Sequence, residues 1–244
     1  MYAVAHTTVA HLKSGLPQLH DKRTSPIHRT AKLTDQPQLN VNSQRVLAAL
    51  MGLHRAYPLE RRIQDEACDD TREIYLAVLL RWIQSAAPPL TTGFDRESLD
   101  ELAALDAVFI LNEQIGCPPF NVAKTDIQVH FPHETLHALS ALDALAMPRL
   151  LDAPATIETR CAMSGETIQL TLTQDGELRE AELNSAVVAF QKVANQVARY
   201  TFDLAPGIRF VLPQHAVGLQ QTLTLGEASA VANGFYSFQR KLLK

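Results

Sequence analysis

The chain has few cysteines, no long hydrophobic run and little excess charge of either sign. Its only cysteines are Cys68, Cys117 and Cys161, and so small and odd a number excludes a disulfide scaffold. No stretch approaches the roughly 20 apolar residues that cross a bilayer as a helix. The net charge is −4 and the pI about 6.1. Composition therefore gives no reason to expect a nucleic acid or an anionic membrane as partner.

The remaining composition is that of an ordinary globular protein. Hydrophobic residues make up 46% and charged residues 20% of the 244 positions, which suits one large domain or two small ones. The first 20 residues lack the charged region and apolar run of a secretory signal. We therefore expect a cytoplasmic protein whose thiols are reduced.

Three segments differ in character. Residues 1–42 are polar, carry four of the nine histidines and are interrupted by three prolines, which predicts a mobile extension. Residues 43–114 contain helical patterns, and residues 115–244 contain mostly strand patterns. The sequence therefore predicts an α+β protein with a helical N-terminal unit followed by a mixed α/β core.

Residues 43–114 predict three helices and a short strand. Ser43 is a candidate N-cap for the first helix, apolar spacing predicts the second over 71–87, and the third spans 95–107. A strand over 107–111 completes a winged-helix-like domain. The third helix is acidic and would be repelled by phosphate, so a structural role is favoured over DNA binding.

Residues 115–244 alternate strands with two helices. The pattern predicts strands over 125–131, 184–190 and 208–213, a hairpin formed by 155–161 and 166–176, and helices over 134–147 and 227–244. Pro148 is expected to bend or end the first of these helices.

Four stretches of this segment, in order, resemble the alkylmercury lyase (organomercurial lyase) family. They are Pro118–Asn121 (PPFN), Ala141–Pro148 (ALDALAMP), Cys161–Glu166 (CAMSGE) and the VVAF strand at Val187. Each motif alone is weak, but four in natural order are much stronger. The resemblance covers roughly residues 95–244 and implies the family's mixed α/β core.

The family's reaction uses two thiolates and one carboxylic acid. Mercury is soft and prefers thiolate sulfur, and the acid supplies the proton that cleaves the carbon–mercury bond. The resemblance places the acid at Asp143 and the first thiol at position 140, which is Ser140 here. The second thiol is expected within residues 200–212, which contain no cysteine. Cys161 matches a further, supportive cysteine of the family.

Ser140 and Asp143 are three residues apart, so on one continuous helix they would share a face. Periodicity alone favours a surface role for Asp143 and a packing role for Ser140. The resemblance instead implies a scaffold that no longer cleaves carbon–mercury bonds. It implies an enzyme that uses Asp143 as acid or base, with Ser140 adjacent, on a small non-mercurial substrate. The alternative is a non-catalytic protein that binds a metal or a small ligand.

A competing motif runs from His133 to His137 and fits H-E-x-x-H, in which two helical histidines bind zinc and the glutamate activates water. A zinc hydrolase is disfavoured because Pro132 places His133 before the predicted helix. A third ligand at Asp143 would also lie about 9 Å beyond His137 along the axis.

Metal binding without hydrolysis stays open. The candidate ligands are His133, His137, Cys117 and Cys161, since imidazole and thiolate suit zinc or copper. The expected partners are therefore a small molecule or a transition metal, without nucleic acid or membrane, and the sequence does not predict an oligomeric state.

Overall fold

The computed structural model describes residues 41–179, 182, 184–190, 199–219 and 221–244. The predicted extension at residues 1–42 lies almost wholly outside this range. The described residues belong to one compact unit, and none of their helices is long and apolar enough to cross a membrane. The α+β class is confirmed. The winged-helix arrangement and the boundary at residue 114 stay predictions.

The first part of the chain is helical. Its helices are α1 (Ser43–Ala56), α2 (Leu59–Arg61), α3 (Asp69–Ser85) and α4 (Arg96–Ala104), with one turn of π-helix between α2 and α3. The N-cap of α1 is Asn42 rather than Ser43, because the Asn42 side chain accepts hydrogen bonds from Gln44 and Arg45 N–H. The amide oxygen of Asn42 satisfies the free N–H groups of the first turn.

A two-stranded hairpin follows α4. It consists of β1 (Phe109–Leu111) and β2 (Gln114–Gly116), and both turn residues, Asn112 and Glu113, have positive φ. The Trp82 indole donates a hydrogen bond of 3.0 Å to the Ile115 carbonyl, which fixes the hairpin to α3.

Among the residues that the structure describes after β2, the regular elements are two antiparallel sheets and three α-helices, with short helical turns between them. The strands are β3 (Gln128–His130), β4 (Thr135–His137), β5 (Ala155–Arg160), β6 (Thr167–Leu172), β7 (Val187–Phe190), β8 (Ile208–Val211) and β9 (Thr222–Thr224). The larger sheet has the order β4-β3-β5-β6 and the smaller one β8-β7-β9. The helices are α5 (Ala141–Leu151), α6 (Leu225–Phe235) and α7 (Ser237–Leu242). The hairpin around the MSG turn is confirmed as β5–β6.

The prediction of one helix over residues 134–147 is wrong in its first half. Residues 135–137 form β4, in register with β3, and α5 begins only at Ala141. Leu136 is buried while its neighbours are not, which is strand alternation, but three residues are too few to distinguish it from helical spacing. Pro148 lies inside α5 and does not end it.

Helix α5 is the interior element of the fold. Nine of its eleven residues are buried, so it has no solvent-facing side. It packs against α6 and the strands β3 and β8. Asp143, in its first turn, is therefore placed in the protein interior rather than on an amphipathic surface.

Candidate active site

Asp143 is a fully buried carboxyl group surrounded by hydroxyls. Its side chain has no exposed surface, and its Oδ1 accepts hydrogen bonds from the hydroxyls of Tyr200 and Tyr236. Oδ2 is buried and has no hydrogen-bond partner among the described residues. Burying a carboxyl with one oxygen unsatisfied is costly, so the arrangement marks a candidate for function.

Ser140 fixes the start of the helix that carries Asp143. It is the N-cap of α5, and its Oγ accepts a hydrogen bond of 3.1 Å from the Asp143 backbone N–H. Ser140 is itself fully buried. The two residues are thus adjacent, as expected, but through a capping interaction rather than a shared helix face.

The two tyrosines come from distant parts of the chain. Tyr200 begins a helical turn, and its backbone N–H donates a hydrogen bond of 2.7 Å to Asp106 Oδ2. Tyr236 lies in the break between α6 and α7. The Tyr57 ring packs on the Tyr200 ring with centroids 4.8 Å apart. The ring contact and the backbone hydrogen bond together fix the position of the Tyr200 hydroxyl.

The hydrogen bonds among Asp143, Tyr200 and Tyr236 differ between the ionised and the neutral form of Asp143. The hydroxyl oxygens of Tyr200 and Tyr236 are 2.8 Å apart, and both contact Asp143 Oδ1, so three oxygens form a triangle. An ionised Asp143 leaves two hydroxyl protons for three contacts, and both point at the carboxylate. A proton on Oδ1 would complete a ring of three hydrogen bonds, whereas a proton on Oδ2 leaves both tyrosines donating.

Burial and hydrogen bonding oppose each other at Asp143. Desolvation favours the neutral acid, while the Tyr200, Tyr236 and Ser140 donors favour the carboxylate, and the balance raises its pKa to about 6. Burial raises the pKa of both tyrosines well above the usual value, and the neighbouring Asp143 charge adds to the effect. Near neutral pH the tyrosines are therefore donors, and Asp143 is the group that can gain or lose a proton.

Tyr200 is the first residue of the segment 200–212, in which the resemblance led us to expect a thiol. Its hydroxyl is 3.5 Å from Ser140 Oγ, so two hydroxyls lie close together beside Asp143. Tyr200 could have been suspected because it opens the cysteine-free segment 200–212. Tyr236 gave no sequence signal, because it looked like one more residue of a continuous terminal helix.

The two core cysteines lie elsewhere. Cys117 is buried, and burial raises its thiol pKa to about 12. Cys161 directly follows β5. Burial raises the pKa of its thiol, but hydrogen-bond donors led by the Leu212 N–H outweigh that effect and lower the pKa to about 7. In the part of the chain that the structure describes, neither sulfur hydrogen-bonds to the Asp143 cluster.

The histidine motif does not have zinc-peptidase geometry. His133 is exposed in a turn, and His137 is on β4 rather than on a helix. Thr125 N–H donates to His137 Nδ1 at 3.1 Å, which occupies one ring nitrogen. Within the described ranges, no three His, Cys, Asp or Glu side chains are grouped to hold a metal. The proposed ligands His133, His137, Cys117 and Cys161 are therefore not assembled into such a site.

Comparison with known proteins agrees with the arrangement of the core. Residues 120–202 match the family described as MerB, alkylmercury lyase. Among solved structures, the mercury-bound form of MerB2 is similar with a TM-score of 0.59 and 17% identity, covering 76% of this chain and 98% of that one. At this identity the likeness shows a shared fold. No curated protein matches the chain.

Proposed function

We propose that this chain uses a scaffold of the alkylmercury lyase type, whose family model matches residues 120–202, to transfer a proton to or from a small substrate that is not an organomercurial. The observation that carries the proposal is the buried Asp143 carboxyl, which two tyrosine hydroxyls and Ser140 surround. Strongly perturbed carboxyls of this kind are typical of catalytic acids and bases.

Asp143 is the catalytic residue of the proposal. A pKa of about 6 leaves both its acid and its base form populated near neutral pH, which suits general acid–base catalysis. Oδ2 is the oxygen for the substrate, because Oδ1 is already held by Tyr200 and Tyr236. The tyrosines hold the carboxyl in place and stabilise it when it is ionised.

The same cluster is unsuited to mercury. Carbon–mercury cleavage requires ligands that stabilise the departing metal, and hydroxyl oxygens are hard donors that bind soft metals poorly. Ser140 and Tyr200 offer hydroxyls that stay protonated, and the Cys117 thiol, with its pKa of about 12, stays protonated as well. The only thiol with a lowered pKa is Cys161, and one sulfur cannot form a two-sulfur grip.

A carbon-13 NMR titration of labelled aspartate tests the acid–base role directly. We expect one carboxyl, absent from the spectrum of Asp143→Asn, to titrate near pH 6. The proposal fails if the Asp143 resonance titrates at the ordinary aspartate value, since the residue would then be fully ionised at neutral pH. Substrates can be sought in the same protein by following loss of C–H signals from small carbonyl compounds in heavy water.

One observation favours a second function, ligand binding without catalysis. Asp143 Oδ2 is buried without a partner in the described part of the chain, and a bound ligand with an N–H or O–H group would satisfy it. A metal ligand is the other form of this alternative. Elemental analysis of the purified protein separates the two, because stoichiometric zinc or copper would favour the metal-binding form.

The proposal includes a cytoplasmic location. Cys68, Cys117 and Cys161 are all free thiols, which suits a reducing compartment.

A further inference from the structure

A small pocket lies beside Tyr236, one of the two tyrosines that contact Asp143. Tyr57, Phe235 and Tyr236 form part of its wall, and His54 and Glu60 are among its polar lining residues. Its empty volume is about 250 Å³ including the open mouth, and its narrow interior has room for about one water molecule. It is therefore too small for a substrate but large enough for an ordered water.

Gln239 gives this pocket a polar anchor. The residue is 1% exposed, and its Nε2 donates to the Pro118 carbonyl at 3.5 Å. Its Oε1 is buried and has no hydrogen-bond partner among the residues described. A water in the pocket would satisfy this acceptor, because buried waters are held by such unpaired polar groups.

Asp143 needs a route for protons if it is to work repeatedly. Its side chain has no contact with solvent, so a proton consumed in one turnover must return through other groups. Tyr236 connects the pocket with Asp143, because the residue lines the pocket and its hydroxyl donates a hydrogen bond to Asp143. His54 is solvent-exposed on α1 at the pocket, with its ring 5.4 Å from that of Phe235.

We propose that this pocket is the proton path of Asp143, with His54 as the group that exchanges protons with solvent and Gln239 as the anchor of the relaying water. This inference rests on the proposed function, because the path would resupply protons to a catalytic Asp143. The path can nevertheless be tested without a substrate. Protonated His54 gives its proton to the water. The water passes one of its own protons to the Tyr236 oxygen, and the Tyr236 hydroxyl proton moves to Asp143 Oδ1. One proton is transferred in all, and the water and the tyrosine end as they began.

The acidities of the two end groups suit such a transfer. Partial burial lowers the pKa of His54 below its usual value, although the neighbouring Glu60 opposes the effect. Burial raises the pKa of Asp143 to about 6. The shift of His54 is downward and that of Asp143 is upward, so both act to reduce the difference between the two pKa values, which favours proton transfer in both directions.

The test is the exchange of the Tyr236 hydroxyl proton with water, measured by NMR near pH 6 on tyrosine-labelled protein. We expect His54→Phe and Gln239→Leu each to slow this exchange by roughly tenfold or more, as loss of a proton-transfer group does. The matched control is His133→Phe, which removes another exposed histidine that does not line the pocket and should leave the exchange unchanged.

Chemical rescue separates a relay from a structural effect. Added imidazole should restore the exchange in His54→Ala, because it supplies the missing base, and should have little effect on the native protein. Unchanged exchange in both His54→Phe and Gln239→Leu would overturn the proton path, as would equal slowing in His133→Phe. If Gln239→Leu does not fold, the exposed His54 variants decide. If the exchange experiment overturns the proton path, the expected titration of Asp143 near pH 6 is unaffected. Conversely, an ordinary pKa for Asp143 would refute the proposed function, while the His54 and Gln239 variants could still slow the exchange.

Discussion

Replacing Asp143 by asparagine should change how the free energy of unfolding depends on pH. The pKa of Asp143 rises from 3.8 to about 6 on folding, so the folded protein binds this proton more tightly than the unfolded chain. The native protein therefore loses stability as the pH rises from about 4 to about 6 and regains none of it above pH 6. Each pKa unit corresponds to about 1.4 kcal/mol, so the loss is about 3 kcal/mol.

Asparagine keeps the shape of the side chain and an oxygen acceptor for Tyr200 and Tyr236, but it does not ionise. Any packing or hydrogen-bond cost of the substitution is the same at all pH values, so it cancels when two pH values are compared. The stability of Asp143→Asn relative to the native protein should therefore be about 3 kcal/mol more favourable at about pH 8 than at about pH 4.

The assay is urea denaturation of both proteins at the two pH values, with midpoints and slopes fitted separately. Asp175→Asn serves as the control, because Asp175 is exposed and its replacement should produce no comparable dependence on pH. A stability difference between Asp143→Asn and the native protein that is the same at both pH values would refute the reasoning, because Asp143 would then ionise equally easily in the folded and unfolded states.

Two further predictions concern the neighbours of Asp143. Tyr236→Phe or Tyr200→Phe removes a donor that favours the carboxylate, so the pKa of Asp143 should rise above 6 by about one unit or more by carbon-13 NMR. Tyr75→Phe is the control, because the Tyr75 hydroxyl is buried but is not among the groups that act on Asp143, and an equal shift in that variant would contradict the argument. Ser140→Ala removes the N-cap of α5 and should lower the free energy of unfolding by about 1 kcal/mol. The control is Ser164→Ala, which replaces an exposed serine. An equal loss of stability in the two variants would show that the cap is unimportant.

The sequence predicted the fold class and most elements because their signals are local. Caps, prolines and apolar spacing identify α1, α3 and α4, and alternation identifies the β5–β6 hairpin. The helix prediction was wrong between Glu134 and Ser140 because the apolar residues of this stretch fit both a helix and a short strand. The strand forms because it pairs with β3 in a hairpin whose loop is residues 131–134, and three residues are too few for alternation to predict it.

The candidate site was predictable only in part. Family resemblance pointed to Asp143 and Ser140, and the two are in fact adjacent, although by capping rather than by a shared helix face. The burial of Asp143 could not be inferred, because it follows from α5 being enclosed on all sides. Tyr200 and Tyr236 reach Asp143 across 57 and 93 residues of sequence, and such contacts depend on the assembled fold.

The measurement that tests the central claim most directly is benzene release from phenylmercury in the presence of excess free thiol. The native protein should release none above background, because the Ser140 and Tyr200 hydroxyls beside Asp143 are hard donors that bind mercury poorly. Ser140→Cys combined with Tyr200→Cys should release benzene, since it places two sulfurs beside Asp143, and Ser140→Cys alone should not. Sustained release by the native protein, abolished in Asp143→Asn, would contradict the account and show that the site remains an organomercurial lyase.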